Sequence, residues 1–90
     1  MRIGFAGFVK DVKAYEARDG RPAVRVARVV GLDDVSLLDE GSVLAELPPV
    51  GTYVGVVVDG TIAYMSKQGS LVVRVSRAAF NVQNLEKGGE

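Results

Sequence analysis

Between Val12 and Val26 the chain reads VKAYEARDGRPAVRV, and its cations and aromatic are the side chains best suited to hold a ligand. Lys13, Arg18, Arg21 and Arg25 supply positive charge, and Tyr15 supplies a flat face among them. Such charge tracks phosphates and such a face stacks on bases, which is how single strands of nucleic acid are held. Asp19-Gly20 lies at the centre of the stretch. A two-residue hairpin turn needs positive φ, and Asp-Gly adopts it cheaply. The expected element is a pair of β-strands joined by a tight turn, with Arg18 and Arg21 bracketing it. Tyr64 is a second candidate stacker, and Arg74 and Arg77 add basic surface if the last strand lies nearby. Each also has a plainer explanation. Charges flank many hairpin turns for solubility, and tyrosines pack across strands with the hydroxyl at the surface.

Other chemistry is poorly provided for. The 90 residues contain no cysteine and no histidine. A thiol nucleophile, a thiolate metal site, the commonest general base and the commonest transition-metal ligand are therefore all missing. No histidine stands ready to activate Ser36, Ser42, Ser66, Ser70 or Ser76. Gly4 and Gly7 lack the Gly-Lys-Ser/Thr ending of a phosphate loop. Asp33, Asp34, Asp39 and Glu40 do not have the alternating spacing of a calcium loop, and an acidic solvated loop is expected there. No catalytic residue, metal site, cofactor or small-molecule substrate is expected. No apolar run reaches the roughly 18–20 residues of a membrane span, and a reducing cytoplasm is the default location.

Net charge is zero, but the charges are segregated. Residues 1–28 carry seven bases against three acids, residues 29–60 six acids and no base, and residues 61–90 four bases against two acids. That distribution permits a basic face on a neutral protein.

These candidates need a scaffold, and the chain reads as one β domain over residues 1–85 with a frayed tail at 86–90. Arg2 to Glu16 alternates as a long strand, with a phase shift at Phe8 and bulges expected at its glycines. In the next strand Val24, Val26 and Arg28 share one face and Ala23, Arg25, Ala27 and Val29 the other, with a bulge expected near Ala27. Gly31–Pro49 fits a short helix or two short strands around Asp39-Glu40-Gly41, the second strand over Val43–Leu47; strands are slightly favoured. A meander follows: a strand over Thr52–Val58, a hairpin turn at Asp59-Gly60, a strand over Thr61–Ser66, a turn at Lys67-Gln68-Gly69 and a strand over Leu71–Ser76. Phe80, Val82 and Leu85 form a closing segment. Hairpin-connected strands at this density suggest a small barrel with protruding hairpins.

Two stretches resemble the single-stranded-DNA-binding proteins of filamentous bacteriophages, the gene V protein family. One is Arg18-Asp19-Gly20-Arg21-Pro22, similar to the basic turn of that family's DNA-binding hairpin; the other runs from Gly51-x-Tyr53-Val54 through Gly69-Ser70-Leu71 to about Phe80. The resemblance implies a five-stranded antiparallel OB-like barrel. It also implies a homodimer that coats single-stranded DNA cooperatively and without sequence preference, during phage-type replication in the host cytoplasm. Carried over, Arg18 and Arg21 contact phosphates, Lys13 is a further basic contact, and Lys67 lies on the loop near the dimer axis. Ala23 stands where the family has an aromatic, Glu46 where it has a base, and Arg74 and Arg77 fall out of register with its last-strand arginines. The rival expectation is a small β-barrel that assembles with protein partners through strand edges, without nucleic acid.

Overall fold

The computed structural model describes residues 1–67 and 69–82. Five strands form the fold: β1 (Arg2–Tyr15), β2 (Val24–Gly31), β3 (Asp34–Asp39), β4 (Tyr53–Met65) and β5 (Leu71–Val82). They close a ring in the order β1-β2-β3-β5-β4. Four of the pairings are antiparallel, but β3 runs parallel to β5, Val35–Leu38 beside Leu71–Arg74. The sheet is therefore mixed rather than antiparallel throughout. The parallel pair is possible because a long connection, from Glu40 through β4, separates its two strands.

Alternation fills the ring. Val54, Val56 and Val58 of β4 face inward against Ala27 and Val29 of β2, Val35 and Leu37 of β3, and Val73 and Val75 of β5. Branched side chains suit this pleated interior. Leu44 plugs the core from the segment between β3 and β4.

β1 serves two partners in succession. Arg2–Phe8 pairs with β4, and Gly7–Tyr15 pairs with β2. Between Val9 and Asp11 the β1–β2 register shifts, leaving Lys10 as the extra residue. The phase change expected at Phe8 thus falls two residues later, and no bulge forms at Gly4, at Gly7 or at Ala27, which pairs in unbroken register with Val12 and Leu37. A bulged residue needs no special side chain, so Lys10 carries no mark of its role. Gly7 marks a close approach: a Cβ there would lie 2.6 Å from the Val30 carbonyl.

The two Asp-Gly pairs behave differently. Asp19 and Gly20 both have positive φ, 50° and 76°, and Arg18 and Arg21 exchange backbone hydrogen bonds across them. This is the tight hairpin turn the sequence suggests. At Asp59-Gly60 there is no turn, and β4 runs straight through. Both edges are already engaged there: Arg2 and the Met1 carbonyl hold one side, and Arg77 and Val75 of β5 the other. A Cβ on Gly60 would collide with the Arg74 carbonyl. The ladder bends instead, with Ser76 as an extra residue whose hydroxyl donates to the Asp59 carbonyl at 3.0 Å.

Residues 43–46 form a turn, neither the strand nor the helix weighed for this segment. The cause is Asp39. Its carboxylate is 1% exposed and accepts from the Gly41 N–H at 2.8 Å and the Leu44 N–H at 2.9 Å. Those bonds satisfy backbone donors that a ladder would otherwise take, and they swing Leu44 into the core. Asp39 is thus a buried anchor rather than part of a solvated acidic loop. The β4–β5 turn forms as expected, closed by the Ser66 N–H on the Ser70 carbonyl at 2.8 Å. Phe80 and Val82 belong to β5 itself; Gln68, Leu85 and the tail at 86–90 lie outside the described residues.

Candidate nucleic-acid interface

The Lys10 bulge decides what the hairpin shows. Beyond it, Lys13 pairs with Val26 and Tyr15 with Val24, so these four share the outer face. Val12 and Ala14 share the other face with Arg25. Arg25 therefore projects away from Lys13 and Tyr15, although it lies on the same hairpin.

The outer face continues across the sheet. Asp11, Arg28 and Ser36 follow one another in register, as do Lys13, Val26 and Leu38. These residues floor two adjoining concavities of about 890 and 260 Å³, which share Tyr15, Val26, Leu38 and Tyr64 and so make one groove. One wall is the hairpin, with Tyr15, Arg18 and Arg21. The other is the end of β4 and its turn into β5, with Tyr64, Ser66 and Ser70. Tyr15 is 54% exposed and Tyr64 57%, so both rings are free to take a ligand. A further concavity of about 450 Å³ lies along Asp39, Glu40, Asp59 and Arg74; it has no aromatic in its lining, and its arginine is paired with Glu40.

Among the described residues three ion pairs form: Arg2–Asp59 at 3.0 Å, Arg28–Asp34 at 2.6 Å and Arg74–Glu40 at 3.3 Å. Lys13, Arg18 and Arg21 take part in none of them, and their charge faces solvent at the groove. Arg74 is engaged with Glu40, which itself lines the groove, so it acts there by neutralising an acid. Arg77 sits far along β5, opposite Asp59, and Lys67 is exposed in the β4–β5 turn; neither lines the groove. Five of the nine candidates, Lys13, Tyr15, Arg18, Arg21 and Tyr64, thus come together in one place.

The groove floor holds a polar network that residue types alone do not advertise. Asp34 accepts from Arg28 Nε at 3.0 Å and Nη2 at 2.6 Å. Its Oδ1 also accepts from the Ser70 hydroxyl at 3.0 Å, and Ser36 lies 3.2 Å from that hydroxyl. The Ser70 N–H donates to Ser66 Oγ at 3.0 Å. The chain of bonds ties the β4–β5 turn onto β3 and β2. The hydrogen bond from Arg28 holds the Asp34 carboxyl below the usual aspartate range against a partial desolvation cost, and Ser70 adds to the effect. Arg28 is correspondingly raised by its bond to Asp34. Asp34 is thus a paired group rather than a solvated acid. No set of three or more metal-ligating side chains gathers among the described residues, and no helix is long and apolar enough to cross a membrane.

No protein-family model, curated protein or solved structure matches the chain.

Proposed function

We propose that this protein is a non-enzymatic, single-stranded-DNA-binding protein built on an OB-like barrel, with the strand lying in the groove between the β1–β2 hairpin and Tyr64. The observation that carries the reading is the gathering, on one concave surface, of two exposed tyrosines and three cations that have no ion-pair partner among the described residues. OB-folds bind oligonucleotides on the face of strands 2 and 3, between the loop joining strands 1 and 2 and the loop joining strands 4 and 5. The ring order and the placement of the groove support that likeness. Bases stack on Tyr15 and Tyr64 over a floor of Val24, Val26 and Leu38, while Lys13, Arg18 and Arg21 follow the phosphates. Backbone contacts of this kind carry little sequence preference. The phage-family resemblance adds a homodimer coating DNA cooperatively during replication.

A second reading has its own observation. β3 pairs with β5 only as far as Arg74, so among the described residues nothing pairs with the remaining length of β5 on its edge away from β4. Such an edge can accept a strand from another protein or a second copy without DNA.

Anisotropy of a labelled oligothymidine, titrated at several salt concentrations, tests the first reading. Three phosphate-contacting cations imply a slope of log K against log [salt] of about −2, at about 0.7 per phosphate on a single strand. Arg18→Ala/Arg21→Ala leaves one cation, and the slope falls to about −0.7. Arg77→Ala, outside the groove, leaves it unchanged. No binding at low salt refutes the reading and leaves strand-edge assembly.

A further inference from the structure

Arg28 is a cation that cannot act as one. Asp34 occupies its Nε and Nη2, and the remaining nitrogen, Nη1, has no hydrogen-bond partner among the described residues. The side chain is 38% exposed and faces the groove beside Asp11, its partner in the β1–β2 register. One guanidinium and two carboxylates give that spot a net charge of −1. A phosphate is repelled there, so the free N–H groups are useful only to an uncharged acceptor.

The fork is also held still. Ser70 braces Asp34, and Ser66 braces Ser70, so Arg28 is presented in one orientation from β2. A planar guanidinium fixed in this way gives directional hydrogen bonds with little entropy left to lose. Tyr15 and Tyr64 line the same part of the groove, so a base stacked there has its edge over the floor.

We infer that Arg28 and Asp11 together read the edge of one base, and that the base they favour is guanine. Guanine offers the O6 acceptor to the Arg28 donors, and its N1–H and N2–H to the Asp11 carboxylate. Adenine places an amino donor where O6 lies, against the arginine. Thymine has one donor between two acceptors, one of which meets the Asp11 carboxylate. Single-stranded nucleic acids are commonly read on this edge while the base is stacked. The inference rests on the proposed binding of single strands and adds a preference to an otherwise sequence-tolerant groove.

The test compares three labelled oligonucleotides of equal length: all thymidine, thymidine with isolated guanosines, and thymidine with isolated adenosines. Isolated guanosines avoid four-stranded structures. The guanosine form is expected to bind about tenfold tighter than either of the others, the scale of one good base contact. Asp11→Asn leaves the Arg28–Asp34–Ser70 network intact and should abolish the preference, with oligothymidine binding strengthened because the carboxylate no longer opposes thymine or phosphate. Arg28→Lys should abolish it as well. Equal binding of all three by the unaltered protein, or a preference that survives both substitutions, overturns the inference and leaves the binding reading standing. Failure to bind any of the three overturns both.

Discussion

Replacing Asp39 tests the claim that one buried carboxylate shapes the segment between β3 and β4. Each of its two bonds is a charge-assisted contact to a backbone N–H, worth about 1.5–3 kcal/mol net. The Gly41 donor is at an exposed residue, where water can substitute, but Leu44 is 2% exposed and its N–H cannot find water without moving the leucine. Asp39→Ala should therefore cost about 2–4 kcal/mol, most of it from the Leu44 bond. A 90-residue domain has roughly 5–13 kcal/mol in total, so the variant should fold but melt well below the parent. Asp39→Asn retains one acceptor oxygen and presents an amide donor to the other N–H, so it should lose about half as much. Leu44→Ala alone should cost about 2–5 kcal/mol for the cavity it leaves. If Asp39 acts by holding Leu44 inward, the double variant Asp39→Ala/Leu44→Ala costs clearly less than the sum of the singles. Urea unfolding at constant m-value measures all four. A loss below about 1 kcal/mol for Asp39→Ala, or strict additivity in the double variant, refutes the reasoning.

Tyr15→Ala and Tyr64→Ala should each weaken single-strand binding by about 1–3 kcal/mol, and phenylalanine at either position should restore most of it, since stacking needs the ring and not the hydroxyl; titrations of labelled oligothymidine report both. Acid should destabilise the fold in a defined window. Asp34 and Asp59 are held below the usual aspartate range by their bonds to Arg28 and Arg2, so their contribution is complete above about pH 4 and is lost as pH falls through their lower folded values. Thermal unfolding should be level from about pH 5 to 7, where no histidine titrates, and should fall below about pH 4, with a smaller fall in Asp34→Asn.

What could be read from the sequence was what depends on neighbours along the chain. The Arg18–Arg21 turn follows from Asp-Gly chemistry, and the faces of β2 and the inward valines of β4 follow from alternation. What depends on partners across the sheet was hidden. Asp59-Gly60 carries the same dipeptide as the real turn, yet pairing on both of its edges holds it extended. Asp39 and Asp34 look like neighbours in an acidic loop, but one is buried on backbone donors and the other is clamped to Arg28. The parallel contact of β3 with β5 joins residues more than thirty apart and leaves no local trace. In the groove, the hairpin cations and both tyrosines were legible by type. The opposite outlook of Arg25 and the engagement of Arg74 with Glu40 were not, because both are decided by register.

The extra residue at Lys10 has a consequence for how this protein tolerates insertion and deletion. Val9 faces Val29 and Asp11 faces Arg28 on either side of it. Removing Lys10 would therefore leave every later pair of β1 with β2 unchanged, with Lys13 and Tyr15 still outward. What would disappear is the local bend and added twist that a bulge brings to its strand. The hairpin would carry the same side chains in another direction, and the distance from Tyr15 to Tyr64 would change with no contact residue altered. The width of the groove is thus encoded in the length of the chain at one point, where the identity of the residue hardly matters.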